Sequence, residues 1–347
     1  MRAVAKQEST VALPHSLAGL TVFERGWLSS NNILIHAAPP ERGAVLVDSS
    51  HVNHAEQTVA LVRHALRGQG PRADEIRRPP PEEVSQLGSG PALTQERLDR
   101  VLNTHLHSDH CGGNAALQRE FGVPVFVPPG LAHAVRAWDT LALSHEATGQ
   151  RSERFTMAGT LAPGEKFVAG AREWQVLAAP GHDPHSVLLF DAAHGVLISA
   201  DALWEQGFGV VFPELEGEPG FDDVAAVLSM IEQLPVRVVI PGHGAPFTDV
   251  EGALLRARKR LAGMVADPAR HARHAMKVLI KYHMMEEREM ALDALLAWAA
   301  ATPAMCGTWQ RYGAHESASA QSWCEQFVHE LVGSGALALR DGTLHDV

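Results

Sequence analysis

The segment Thr104–Gly113, THLHSDHCGG, constrains this 347-residue chain more than any other. It places three histidines and an aspartate within six residues, directly after the apolar run LDRVL. Titratable side chains at that density do not belong together in an ordinary packed core. On extended backbone His105 and His107 fall on one face. The turn that follows returns Asp109 and His110 to a neighbouring point. Gly112 and Gly113 let the backbone turn tightly and approach closely. Imidazole and carboxylate at this spacing suit zinc, and also iron or manganese. The run therefore asks for a strand that ends in a donor-bearing loop at the edge of a sheet.

Three later segments repeat this arrangement. Pro180-Gly181-His182 ends REWQVLAAPGH, Asp201 ends GVLISAD, and Pro241-Gly242-His243-Gly244 ends VRVVIPGHG. Polar residues at strand ends collect along one edge of a sheet, so these loops are expected to meet the first.

The rest of the chain supplies strands and helices in a readable order. TVFERGW, NNILIHAA and GAVLVDSS read as strands, and HAEQTVALVRHAL as a helix. Residues 67–98, with five prolines, read as a surface excursion. VPVFVPP, KFVAG, REWQVLAAPGH, HSVLLFD and GVLISAD are further strands. LAHAVRAWDTLALSHEATG and FDDVAAVLSMIEQLP are predicted helices. From Glu251 the pattern is helical, and GALALRDGTLHDV closes it with a hairpin signal at Asp341-Gly342. The expected domains are 1–250, and 251–347 as a helical, winged-helix-like unit.

Composition narrows the partners. The net charge of −11 lies entirely in the first 250 residues, because residues 251–347 carry 11 basic and 11 acidic side chains. An acidic body disfavours nucleic acid. The basic stretch 256–281 keeps an anionic ligand open, against the plainer reading of a solvated helix face. Three cysteines without C-x-x-C spacing point to a reducing, cytoplasmic setting. No continuous apolar h-region begins the sequence, and no apolar stretch reaches membrane-spanning length, so neither signal peptide nor membrane partner is expected.

With these motifs in this order, residues 18–250 or so resemble the metallo-β-lactamase-fold hydrolases. The resemblance implies an α/β fold, an αββα four-layer sandwich of two mixed β-sheets flanked by helices, followed by the winged-helix-like unit. It implies two divalent metal ions, zinc before iron or manganese. His105, His107 and His182 would hold the first, Asp109, His110 and His243 the second, and Asp201 would bridge them. Asp48 would steady the metal-binding loop. Asp201 stands where dizinc β-lactamases usually have Cys, so the chain is similar to the glyoxalase II, lactonase and ribonuclease branches. Cys111 is expected to be a small packing residue.

The implied reaction is attack of a metal-bridging hydroxide, oriented by the catalytic Asp109, on an ester or thioester carbonyl of a small soluble substrate. His185 stands where relatives commonly have glycine in Gly-His-Thr-Pro-Gly-Ser, and so is an extra imidazole beside the loop. It is a candidate catalytic proton donor, and Asp183 a candidate to orient His182. Trp204, Phe208 and Phe212 are candidate pocket walls. The alternative is a phosphodiesterase or endoribonuclease of the same fold, with the tail gripping nucleic acid. A β-lactamase and a non-catalytic module rank lower. A homodimer through the charge-balanced tail is the remaining partner expectation.

Overall fold

A computed structural model describes residues 15–39, 43–68 and 96–347. The excursion expected at 67–98 lies mostly outside the described residues. One sheet contains β1 (Leu20–Phe23), β2 (Asn32–Ile35), β3 (Gly43–Val47), β4 (Arg97–Leu102), β5 (Val125–Val127) and β6 (Gly159–Thr160), side by side in that order. β1 to β3 pair antiparallel, and β3 to β6 pair parallel. The other sheet runs β11-β10-β9-β8-β7, from β7 (Lys166–Ala169), β8 (Arg172–Ala178), β9 (Val187–Asp191), β10 (Val196–Ala200) and β11 (Val238–Pro241). Only β10 and β11 are parallel there.

Side-chain alternation along the strands builds the layers. Val45 and Val47 of β3 face inward and join Ile33, Ile35, Trp174, Val176, Leu189, Ile198 and Ile240 in one core between the two sheets. The alternate residues Ala44 and Leu46 face outward and pack with α1 (Ala55–Leu66). On the far side, Leu188, Phe190 and Leu197 pack under helix Phe221–Gln233 and helix Val250–Ala266. Strands such as β9 and β10 are therefore buried along their whole length, which explains their continuous apolar sequences.

Between these elements lie α2 (Ser108–Cys111), α3 (Asn114–Phe121), α4 (Ala132–Ala137), α5 (His145–Thr148) and α6 (Phe212–Glu216). The single helix expected over LAHAVRAWDTLALSHEATG is instead α4 and α5 with a turn between them. Trp138 and Ser144 take left-handed backbone (φ 55° and 64°), and the Asp139 carboxylate accepts the Ala142 N–H at 3.0 Å. The Trp138 ring packs edge-on to Phe155 at 5.6 Å. Tertiary packing thus overrides a helical pattern.

The chain continues through α7 (Phe221–Gln233), α8 (Val250–Ala266) and α9 (Pro268–Glu287). Asp249 and Asp267 cap α8 and α9 by accepting the N–H of Gly252 and Arg270, and Pro268 takes the first position of α9. Then come β12 (Glu289–Ala291), α10 (Leu292–Ala301), α11 (Pro303–Thr308), α12 (Ala320–Gly333), β13 (Leu337–Arg340) and β14 (Thr343–Asp346). The hairpin forms as expected, with Asp341 and Gly342 both at positive φ. β12 and α11 had no clear sequence signal; β12 adds to the hairpin as a third antiparallel strand. α9, α10 and α12 enclose their own core around Met276, Trp323 and Phe327. Among the described residues no helix is long and apolar enough to cross a membrane.

Candidate metal centre

The chain brings its donor loops together at one edge of the sandwich. β3, β4, β8, β10 and β11 all end there, leading into Asp48, His105, His182, Asp201 and His243. The two sheets are tied across this edge by Asn31. Its N–H donates to the Gly242 carbonyl at 2.7 Å, and its side chain donates to the carbonyls of Pro241 and Gly244. Close approach is built in. A Cβ on Gly113 would collide with the Ser49 carbonyl, and one on Gly242 with the Asp201 carboxylate.

Two donor groups result. His105, His107 and His182 form the first; Asp109, His110, Asp201 and His243 form the second. Within each group, one ligand atom per residue lies within 4.8 Å of the others. Asp201 faces both. Its Oδ1 is 3.5 Å from His110 Nε2, and its Oδ2 is 3.3 Å from His182 Nε2. All seven sequence-predicted donors are therefore assembled, and His107 alone among them is only half-buried.

Hydrogen bonds fix which nitrogen His110 and His182 offer. Asp48, held at φ 59°, accepts the Thr104 N–H at 2.9 Å and its hydroxyl at 2.7 Å, and lies 2.8 Å from His110 Nδ1. His110 thus donates Nδ1–H outward and turns Nε2 inward. Likewise the Val210 carbonyl accepts from His182 Nδ1 at 2.5 Å. The orienting group of His182 is that carbonyl and not Asp183, whose carboxylate accepts the His185 N–H at 2.7 Å. Buried His105 Nε2 and His110 Nε2 have no hydrogen-bond partner among the described residues. Orphaned imidazole nitrogens beside carboxylates are the donor chemistry that a divalent cation satisfies.

The electrostatics agree. Burial holds His107 and His182 down at about 4, so both are neutral donors near pH 7. Burial, reinforced by the neighbouring imidazoles, holds His105 well below its ordinary value. His110 is the exception. Burial opposes its charge, but Asp109, Asp201 and Asp48 outweigh burial and raise it well above the ordinary value. The same negative field favours a cation there. Asp109 would be raised by burial, yet His110 and His243 bring it to about 2.

Asp48→Asn removes the charge that orients His110. It is expected to weaken metal retention by about 10–100-fold, the usual cost of losing such a partner. Competition with a chelator reads this directly, and unchanged retention would refute the role.

A cavity of about 810 Å³ opens over the centre, lined by Trp27, Asp109, Trp204, Phe212, Arg260 and Tyr282 among others. Trp204 donates its indole N–H to Asp201 Oδ1 at 3.1 Å, and Phe212 lies edge-on to His107 at 5.2 Å. Phe208 is not a wall residue: it is fully buried in the core beneath the Arg260 guanidinium. Two wall residues escaped the sequence. Trp27 stacks on His243 at 5.3 Å, but its loop reads as a continuation of β1. Tyr282, on α9, lies 3.0 Å from the Ser108 hydroxyl, a contact between segments far apart in the chain. His185 sits outside both donor groups. It is exposed, in an adjoining groove that also reaches His107 and His182. Cys111 is buried, and burial pushes its thiol up to about 12, so it is an inert packing residue.

The basic stretch 256–281 mostly proves structural. Arg256, Arg258, Arg273, Lys277 and Lys281 all pair with carboxylates. His271 accepts the Val211 N–H at 3.2 Å, which anchors α9 beside the loop that holds His182. Burial and then Arg260 lower it to about 4. The unfolded chain therefore takes up this proton first. The stabilising effect is complete above pH 6.5 and is lost as pH falls towards 4, about 3 kcal/mol in all. Urea unfolding of His271→Asn should show a correspondingly shallower decline between pH 7 and 4. An equal decline in both proteins would refute it.

Residues 25–243 match the profile of the metallo-beta-lactamase superfamily. The chain belongs to that superfamily. Among its relatives in this superfamily is a hydroxyacylglutathione hydrolase of Halorhodospira halophila. It is 35% identical over 199 residues, which is 56% of this chain and 66% of the relative. The hydroxyacylglutathione hydrolase of Brucella anthropi is 27% identical over 50% of this chain and 55% of its own length. The chain thus spans between about half and two thirds of these two curated relatives. A metallo-β-lactamase of Cronobacter sakazakii with a HARLDQ motif shares the fold, with a TM-score of 0.50. It has 14% identity over 73% of this chain and 96% of that one.

Proposed function

We propose that this superfamily member is a dinuclear metal-dependent hydrolase that cleaves an ester or thioester bond in a small-molecule substrate. One observation carries the reading: Asp201 places one oxygen against each donor group, 3.5 Å from His110 Nε2 and 3.3 Å from His182 Nε2. In this reading His105, His107 and His182 hold one ion, and Asp109, His110 and His243 the other. Asp201 is shared between them. Zinc fits the nitrogen-rich donor set, with iron and manganese next. The names of the relatives above support a thioester as the first substrate class to test.

Bound ions would supply Lewis acidity, acidifying water and polarising the carbonyl oxygen. The remaining work falls to the chain. Asp109, ionised at neutral pH, accepts a hydrogen bond from the attacking water and aims its lone pair. Asp48 and the Val210 carbonyl keep His110 and His182 in register. Trp204 holds the shared carboxylate. Trp27, stacked on His243, and Phe212, edge-on to His107, give the cavity apolar walls. A thiolate or an alkoxide leaves with little help, whereas an amine would need a proton donor, for which His185 in the adjoining groove is the candidate. The division at residue 250 and the winged-helix-like character of β12–β14 with α9, α10 and α12 belong to this proposal. So does a cytoplasmic setting, which the free state of all three cysteines suits.

The test is a panel of thioester, ester, lactone, phosphodiester and β-lactam substrates offered to the metal-loaded protein. Turnover of thioesters or esters well above the rest is expected. Turnover confined to phosphodiesters would replace this reading with the nuclease alternative.

A further inference from the structure

Away from the two donor groups, α9 carries a third set of ligating side chains on one face. His283, Glu286 and Glu287 stand at i, i+3 and i+4, spacings that are neighbours on a helix. One ligand atom from each lies within 4.8 Å of the other two. Their surroundings separate the two oxygens of Glu286. Arg151 Nε donates to Oε1 at 2.7 Å, and His51 Nε2 lies 3.4 Å from the same atom. His51 Nδ1 accepts the Asn53 N–H at 3.2 Å, so its proton is on Nε2 and points at the carboxylate. His51 thereby faces Oε1 with a protonated nitrogen, beyond hydrogen-bond length, and offers no free lone pair as a ligand.

Oε2 of Glu286 is left over. It is buried and has no hydrogen-bond partner among the described residues, and the same holds for both ring nitrogens of His283. The gap between His283 Nδ1 and Glu286 Oε2 is 3.5 Å. That is long for a hydrogen bond, but it is the spacing of two donors around one ion at roughly 2.0–2.1 Å from each. The His283 ring lies flat on Trp298, with centroids 3.9 Å apart and planes 1° apart, which fixes its orientation. Arg151 also pairs with Glu287 Oε1 at 3.0 Å. It therefore offsets one of the two carboxylate charges and leaves one for a cation.

We propose that His283, Glu286 and Glu287 form a further divalent metal site, separate from the hydrolytic centre, for a borderline ion such as Zn²⁺ or Mn²⁺. Its ion pins the C-terminal end of α9, where Asn53 already donates to the Glu286 carbonyl at 2.9 Å. That end of the helix also carries the wall residue Tyr282. The site does not depend on the hydrolase reading.

Equilibrium dialysis of the apo-protein against Zn²⁺ tests it by difference. Wild type is expected to bind one equivalent more than His283→Ala and one more than Glu287→Gln, whatever the total. Both zinc-saturated variants should keep kcat/KM within about threefold. Equal stoichiometry in all three proteins overturns the proposal. If a variant fails to fold, Co²⁺ titration of wild type and Trp298→Phe decides it. A quenching step missing only from Trp298→Phe supports the site, and identical quenching overturns it.

Discussion

Asp201→Asn is expected to lower kcat/KM by about three orders of magnitude. Asp201 is the side chain that approaches both donor groups, with Oδ1 towards His110 and Oδ2 towards His182. An asparagine of the same shape replaces one of those oxygens with an NH₂. It then points a donor at an imidazole nitrogen and removes the charge shared by the two sites. Charge stabilisation by a well-held ion amounts to several kcal/mol, and each 1.4 kcal/mol is a factor of ten in rate. The fold should survive, because the asparagine still fits beside Gly242. Kinetics paired with metal analysis measures this. A variant that keeps two metals and stays within tenfold of wild type would remove Asp201 from the mechanism.

Stripping the metals is expected to abolish hydrolysis reversibly and to lower Tm by about 5–10 °C. A ligand present at a hundredfold over its Kd contributes about 2.7 kcal/mol, and chains of this size shift by a few degrees per kcal/mol. The apo centre also has a distinct proton signature. His110, raised by Asp109, Asp201 and Asp48, carries a proton near pH 7 that an incoming cation displaces. Reloading should therefore release about one proton per chain, read from the buffer dependence of the binding heat. Undiminished activity in chelator, with an unchanged Tm, would contradict a metal-dependent centre.

The convergence of these seven side chains was legible because each follows closely on an apolar strand, Asp109 and His110 on the short helix α2 and the others in loops. Strand ends are where a sheet gathers side chains, so local pattern and spatial position coincide. Asp48 was legible only through the family resemblance, and its bonds to Thr104 and His110 were not. The orientation of His182 was misread because the neighbouring Asp183 looked available. The actual acceptor is a backbone carbonyl, Val210, which sequence does not distinguish from any other. Phe208 was misplaced in the cavity wall because an aromatic residue after a donor loop reads the same whether it faces solvent or core. Residues 131–149 read as one helix because periodicity reports burial. The left-handed turn at Trp138 is set by packing against Phe155 instead.

Sequence by itself determined the succession of strands and helices and the polar strand ends that carry the donor residue types, and those motifs carried the family resemblance that implies the sandwich. Strand-end polarity is a local property, so a short window of residues contains it. Only the tertiary structure decided how that edge is closed. Trp27 over His243, Tyr282 against Ser108, His271 under Val211 and the His283–Glu286–Glu287 set all depend on where α9 docks. A helix's docking is fixed by the shape and hydrogen bonding of surfaces distant in the chain, which no window of residues contains.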